Sequence, residues 1–336
     1  MKNYDSARPH SPYLEKLETL DSGFSKNWMP HFLPCEEYWV DTHAHLSGIT
    51  DDDNLKHLID AWFAKLDAFR LGKIVAISEQ AEMFNVLENA VKTNERFAWL
   101  YWPRIDKPSV KTVRSAVQAG ACGLKLHNKD IMEGKAPRAV YQSSAWQEVL
   151  AYAESEGLPI LWHVTQRHGY SPYHGGGLNA YWKNGWPLGV KFTNEDLLSD
   201  VLETMEKFPE LKIIGAHQLH IGPDRLCSLF ETHKNLYIDS SCGMYLRWAD
   251  DFMEADRIVL RDFVEQWSDR IIFGTDADIK PGSLDEYAVQ SFLCHARFIL
   301  KLGLSDDALQ NVAWRTANLL YGFRQLDSAR RGNVRP

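Results

Sequence analysis

The chain has 336 residues, a net charge of −8 at pH 7, 45% hydrophobic residues and 24% charged residues. An acidic chain lacks the basic face that phosphate binding requires, which argues against nucleic acid as the main partner. No apolar run approaches the roughly 18 residues of a membrane helix. The five cysteines are few and widely spaced, which is typical of free thiols in a reducing compartment such as the cytoplasm.

Short apolar runs alternate with longer amphipathic stretches after a lead that ends at residue 37. The apolar runs are nearly continuous and often β-branched, as buried parallel strands are. These eight predicted strands cover residues 38–45, 73–78, 97–103, 123–127, 158–164, 211–217, 236–241 and 271–276.

Helical patterns fill the stretches between the predicted strands. The first has apolar residues at helical spacing from Leu55 to Phe69, with acidic residues before it. The other patterns cover 79–93, 109–119, 145–155, 194–208, 223–233, 257–267, 284–301 and 306–321. The alternation predicts a single-domain α/β protein, a (β/α)8 TIM barrel over 38–323 with an N-terminal extension (1–37) and a C-terminal tail (324–336). A doubly wound open sheet is the alternative.

Side chains that bind metals or transfer protons lie at the ends of six predicted strands. Loops at these ends build the active site of such barrels, so we expect the side chains to converge there. They are His43, His45, Lys125, His127, His163, His217, Asp239 and Asp276.

The pair His43 and His45 has a direct geometric meaning. Side chains at i and i+2 of a strand point to the same side, about 7 Å apart. Imidazole and carboxylate together suit Zn²⁺ and other divalent metals. The pair alone is also typical of two packed histidines, but His163 and Asp276 at matching strand ends favour a metal site.

Five segments carry a family resemblance: VDTHAH at 40–45, GLKLH at 123–127, LWH at 161–163, AH at 216–217 and FGTD at 273–276. In this order they resemble the amidohydrolase superfamily, and within it the amidohydrolase-related hydrolases and decarboxylases. The resemblance implies a TIM barrel with a metal at His43, His45, His163 and Asp276, and with His217 beside it. The implied ion is Zn²⁺ or another divalent metal such as Mn²⁺.

Lys125, His127 and Arg247 keep alternative interpretations. Some superfamily members carry a carbamylated lysine on the fourth strand that bridges two metals, so a second ion at Lys125 stays open. Lys125 is otherwise a substrate-contacting ammonium or a partner of a carboxylate. His127 is interpreted as a substrate-binding residue rather than a packed histidine, and Arg247 as a carboxylate clamp or a surface arginine. The long aromatic- and glycine-containing stretch 165–191 is predicted to cover the site.

The residues predict a metal-dependent hydrolase. The metal acidifies a water molecule, Asp276 accepts its proton, and His217 with the metal stabilises the oxyanion. The family resemblance, together with the cationic candidates, implies a small carboxylate-bearing lactone, ester or amide as the substrate. A non-oxidative decarboxylase or hydratase at the same metal site is the alternative, and a non-catalytic barrel would lack the ligands. The 12 Trp suit a homo-oligomer interface as well as a core.

Overall fold

Parallel strands form one sheet that follows the chain order. The computed structural model describes residues 38–165, 193–241, 260–280 and 286–323. The strands are β1 (Trp39–Leu46), β2 (Leu71–Ser78), β3 (Phe97–Tyr101), β4 (Ala121–His127), β5 (Ile160–His163), β6 (Ile213–Gly215), β7 (Leu236–Asp239), β8 (Ile271–Ile272) and β9 (Ala277–Ile279). Their order in the sheet is β8-β7-β6-β5-β4-β3-β2-β1-β9.

The eighth predicted strand, 271–276, is shorter than expected, because β8 ends at Ile272; β9 follows as a separate strand, and together they close the sheet. β8 pairs with β7, and β9 pairs with β1, both in parallel. Between the two pieces, the backbone N–H of Thr42 donates to the carbonyl of Phe273 at 3.0 Å, and that of Asp276 donates to the carbonyl of His43 at 2.7 Å. The structure is therefore a (β/α)8 barrel, as the sequence predicts.

Helices follow the strands around the outside of the barrel. The longer ones are α1 (Asp52–Leu66), α2 (Phe84–Thr93), α3 (Val110–Gln118), α4 (Ser144–Ser155), α5 (Asn194–Lys207), α6 (Pro223–Thr232), α7 (260–267) and α8 (Glu286–Lys301). The last helical stretch comprises Asp306–Gln310, a π-helical turn at Asn311–Arg315, and Thr316–Tyr321. Within the described ranges, no helix is long and apolar enough to cross a membrane.

The helix α1 shows how the local sequence sets these bounds. The Asp51 side chain accepts a hydrogen bond from the backbone N–H of Asn54 at 2.8 Å and so caps the helix start. The apolar stripe from Leu55 to Leu66 is buried, as predicted. The helix ends before the predicted Phe69, because residues 67–69 tighten into a 3₁₀ turn and Arg70 takes a left-handed conformation with φ 62°.

Two hydrophobic clusters hold the barrel together. The larger one lies between the strands and the helices and includes Trp39 and Trp99. The smaller one fills the barrel interior with side chains such as Val40, Val75 and Leu161. The active sites of such barrels lie above this packed interior, at the carboxyl ends of the strands.

Candidate metal centre

The inward and outward alternation of side chains is interrupted within β1, and as a result His43 and His45 point into the barrel. Val40 packs in the interior cluster, whereas Trp39 and Ala44 pack in the outer cluster. Strict alternation from Val40 would therefore point His43 outwards. The pairing register between β1 and β2 shifts between Asp41 and Ala44, and a bulge of this kind reverses the alternation. The two imidazole rings lie 5.3 Å apart.

Asp276 meets both histidines from the break between β8 and β9. Its Oδ1 lies 3.2 Å from Nε2 of His43 and 3.1 Å from Nε2 of His45. These ligand atoms all lie within 4.8 Å of one another. The predicted strand does not continue to Asp276: β8 ends at Ile272, and Asp276 itself has a left-handed conformation with φ 56°. A Cβ on Gly274 would lie 2.9 Å from Cβ of His43, so glycine allows this close approach.

Asp41 holds the two ligand-bearing segments together. Its carboxylate accepts hydrogen bonds from the backbone N–H of His43 at 3.2 Å, the backbone N–H of Thr275 at 3.1 Å and the Thr275 hydroxyl at 2.7 Å. Burial raises the pKa of the Asp41 carboxyl to about 7, although these hydrogen bonds act in the opposite direction. Asp41 therefore links the end of β1 to the segment that carries Asp276.

Asp239, the last residue of β7, orients His43 through Nδ1, the ring nitrogen that does not contact Asp276. Its Oδ2 lies 2.6 Å from Nδ1 of His43, and its Oδ1 accepts from the backbone N–H of His217 at 2.7 Å. A carboxylate only accepts, so Nδ1 of His43 carries the proton and Nε2 offers its lone pair to the side of Asp276. A carboxylate behind a metal-binding histidine fixes the tautomer in this way.

His217 lies in a left-handed turn and not at the end of a strand. The sequence predicted a strand to residue 217, but β6 ends at Gly215, and residues 217–220 all have φ between 53° and 56°. Such a conformation costs about 1–2 kcal/mol per residue, so the surroundings must hold it. The Gln218 amide donates to the carbonyl of Asp239 at 2.7 Å, and Leu219 folds over Gly215. This turn brings Nε2 of His217 within 3.2 Å of Nδ1 of His163.

His163 ends β5 as predicted but stands apart from the other predicted ligands. Its ring stacks on His127 with centroids 4.0 Å apart and meets His217 edge-on at 4.6 Å. Neither mutually close ligand group among the described residues contains it; one is His43, His45 and Asp276, and the other is His43, His217 and Asp239. Nε2 of His163 is buried and has no hydrogen-bond partner among the described residues. Such an atom is costly to bury unless a ligand binds it.

The charge states of these side chains suit a divalent cation. Burial lowers the pKa of His43, His163 and His217 below the usual 6.5, which favours neutral imidazoles, the form that binds metals. Burial acts to raise the pKa of Asp276, but His43, His217 and His45 outweigh it and hold that pKa well below its usual range. Neutral imidazoles around an ionised carboxylate fit a divalent metal, and the unpartnered Nε2 of His163 is a further candidate ligand atom.

Lys125 lies deep in the barrel and is fully buried. Its Nζ is 3.1 Å from Nε2 of His43. Burial lowers its pKa to about 8, against the attraction of Asp276 and Asp239. The ammonium group therefore lies beside a predicted ligand, which leaves the assignment of Lys125 as a second-metal or substrate residue a prediction.

His127 lies in the wall of the site, and its tautomer is set by the backbone. The N–H of Lys129 donates to Nδ1 of His127 at 2.8 Å, so the proton of the neutral ring is on Nε2. Trp102 stacks on this ring, with the ring centroids 5.6 Å apart. Arg247 and residues 166–191 of the predicted covering segment lie outside the described residues.

Sequence reasoning missed Trp102, Ser241 and the role of Gln218. Trp102 directly follows β3, and Ser241 follows Asp239 by two positions. The alternation of strand side chains is the signal that could have found Ser241, because residues at i and i+2 share a face. The Ser241 hydroxyl lies 2.8 Å from Oδ1 of Asp239.

The family model for amidohydrolases matches residues 40–323, which is most of the chain. The chain belongs to the amidohydrolase family. The motifs named above lie within this match, and the match identifies the protein as an enzyme of the amidohydrolase superfamily. The two mutually close groups of histidine and aspartate side chains give this amidohydrolase a candidate metal site.

Solved structures share the amidohydrolase fold. A probable 2-pyrone-4,6-dicarboxylic acid hydrolase from Acinetobacter baumannii has 14% identity and a TM-score of 0.55, covering 85% of this chain and 100% of its own. A dihydroorotase from Campylobacter jejuni has 16% identity and a TM-score of 0.57, covering 86% and 85%. A dihydroxybenzoic acid decarboxylase from Polaromonas with bound manganese has 14% identity and a TM-score of 0.52, covering 87% and 99%. Comparison with curated protein sequences gives no match.

Proposed function

We propose that this amidohydrolase uses a divalent metal ion to hydrolyse a small carboxylate-bearing lactone, ester or amide. The observation that carries the proposal is the position of the Asp276 carboxyl group, which contacts Nε2 of both His43 and His45 at the barrel mouth. His43, His45, His163 and Asp276 would hold the ion, and Zn²⁺ suits this set of ligands. When bound, such an ion acidifies water and polarises a carbonyl group.

The side chains around the ion would transfer protons and bind the substrate. Asp276 stays ionised because its pKa is low, and 28% of its side chain is exposed, so water can approach it. It would accept the proton of the attacking water. His217 is the second group beside the site that can hold a proton, and its Nε2 faces His163. The Nε2–H of His127 would donate to an oxygen of the substrate.

A second candidate is a non-oxidative decarboxylase or hydratase at the same site. The same groups support it, because Asp276 and His217 can deliver a proton to carbon as well as remove one from water. The fold shared with the Polaromonas decarboxylase, which binds manganese, gives this candidate support equal to that from the hydrolases. Mn²⁺ is accordingly the second ion to test.

The deciding experiment measures two products from one panel of substrates. Protein loaded with Zn²⁺ or Mn²⁺ is incubated with small lactones, esters, amides and carboxylic acids. Acid release without CO₂ supports the hydrolase, and CO₂ release or net addition of water to a double bond supports the lyase. The metal-free protein serves as the inactive control for either reaction, because both reactions require the metal ion. The absence of every product with both metals would contradict the proposal.

A further inference from the structure

The hydroxyl group of Ser241 contacts three polar groups of the site at once. Its Oγ lies 2.8 Å from Oδ1 of Asp239, 2.9 Å from Nδ1 of His217 and 3.1 Å from Nδ1 of His43. All four side chains are buried. Because a buried polar cluster is stable only when its donors face acceptors, the directions of these hydrogen bonds can be worked out.

The acceptor-only atoms in the cluster fix the direction. A carboxylate oxygen accepts, so the Ser241 hydroxyl donates its proton to Oδ1 of Asp239. The main-chain oxygen of Ser241 also accepts, and it lies 3.2 Å from Nδ1 of His217. If Nδ1 of His217 carried a lone pair instead of a proton, that lone pair would face the lone pairs of this carbonyl oxygen, and the two atoms would repel each other. The proton of neutral His217 therefore lies on Nδ1, which donates to Ser241.

We infer that Ser241 is a positioning residue, which together with Asp239 holds His217 in the tautomer with a proton on Nδ1 and so directs the lone pair of Nε2 into the site. The inference rests on the proposed function, because the site that Nε2 faces is the proposed metal centre. A bare Nε2 accepts a hydrogen bond from Nδ1–H of His163 across their 3.2 Å contact, which leaves the lone pair on Nε2 of His163 available to the proposed metal. It does not donate to an oxyanion, which revises the role that the sequence predicted for His217.

Nitrogen NMR of the full chain reads this tautomer directly and needs no substrate. Two-bond ¹H–¹⁵N correlations are recorded on protein labelled at histidine, both metal-free and loaded with Zn²⁺, and His217→Gln assigns the His217 signals. The wild-type protein should show the proton of His217 on Nδ1. In Ser241→Ala, Nδ1 of His217 keeps only the longer contact with the main-chain oxygen of residue 241, so a measurable fraction of the proton should move to Nε2. Ser241→Thr, which keeps the hydroxyl, should restore the wild-type pattern. Ser240→Ala, whose hydroxyl instead accepts from the N–H of Gly274, is the matched control and should leave it unchanged.

Zn²⁺ affinity, measured by competition with a chromogenic chelator, provides the second readout. Loss of an outer hydrogen-bond partner typically weakens metal binding about 10- to 100-fold, so Ser241→Ala should weaken it by that factor and Ser241→Thr by much less. A wild-type His217 with its proton on Nε2 would overturn the inference, even if Ser241→Ala did not fold. An unchanged tautomer in Ser241→Ala would also overturn it. Since neither readout uses turnover, a failure here is distinct from a failure of the hydrolase proposal.

Discussion

Nδ1 of His43 lies 2.6 Å from Oδ2 of Asp239, and both side chains are fully buried. This contact joins β1 to β7, which are not neighbours in the sheet. The same carboxylate accepts the backbone N–H of His217 through its other oxygen. Asp239 therefore contacts both the ring of a proposed metal ligand and the start of the turn that carries His217, so it links the positions of the two histidines.

The first prediction concerns the metal itself. His43→Ala should remove most of the bound Zn²⁺ or Mn²⁺, because it takes Nε2 from the centre of the ligand group and leaves three proposed ligands. His57→Ala removes an exposed histidine on α1 and should leave the metal content at the wild-type value. Elemental analysis of the purified proteins measures both. A wild-type protein that holds no metal and takes up neither ion would refute the metal centre.

The sequence was sufficient to predict the barrel and to propose which strand ends carry the candidate site, because both depend on local patterns. Buried strands appear in the sequence as apolar runs, and the functional side chains of such barrels lie at the carboxyl ends of these strands. The interruption of side-chain alternation in β1, which points His43 inwards, could not be predicted from the hydrophobic pattern. Regular alternation from Val40 would place His43 on the outer face of the strand. A bulge is set by the pairing of two strands and not by one of them.

The left-handed turn of residues 217–220 escaped prediction for a related reason. Its local sequence has no glycine, and residues with side chains avoid positive φ unless tertiary contacts impose it. Those contacts come from distant segments, such as the carbonyl of Asp239 that accepts from the Gln218 amide. The strand-end rule still placed His217 at the mouth, because the turn follows β6 directly.

The second prediction tests how the turn is held. Gly215→Ala should destabilise the protein by about 1–3 kcal/mol, because its Cβ would lie 2.6 Å from Cδ2 of Leu219 and force overpacking. Leu219→Ala alone should also destabilise, since Leu219 is buried. In the double variant the methyl group has room, so the two losses should be less than additive. Urea unfolding of the four proteins measures the coupling, and strict additivity would show that Leu219 does not pack on Gly215.

The third prediction concerns acid pH. Burial depresses the folded-state pKa of His43, His127, His163 and His217, so the folded protein binds fewer protons than the unfolded chain below pH 6.5. The stability of the metal-free protein is therefore highest above pH 6.5 and should fall as the pH drops through and below that value. Thermal unfolding from pH 7.5 to pH 5 measures the slope.

Asp41 provides an internal control for this slope. Burial raises its folded-state pKa to about 7, so it stabilises the protein as the pH falls from 7 towards 3.8 and opposes the histidines. Asp41→Asn removes this opposing contribution, so its stability should fall more steeply with acid than that of the wild-type protein. Equal slopes in the two proteins would mean that Asp41 is ionised throughout this pH range. A wild-type stability that rises on acidification would contradict the burial of neutral histidines.

The fourth prediction concerns Asp276, on which the hydrolase mechanism depends most. Asp276→Asn keeps the shape and one ligating oxygen but loses the carboxylate that accepts a proton. General-base catalysis typically contributes about 10²–10⁴-fold, so the variant should retain appreciable metal and lose at least about two orders of magnitude in kcat.

Asp278→Asn, two residues along and paired with Lys280, is the matched control and should keep wild-type turnover. Turnover is measured on the substrate found in the panel, and metal content on the same samples. Near-normal turnover by Asp276→Asn would show that another group activates water, and His217 would be the first residue to test. It would also favour the lyase, in which the metal only orients the substrate.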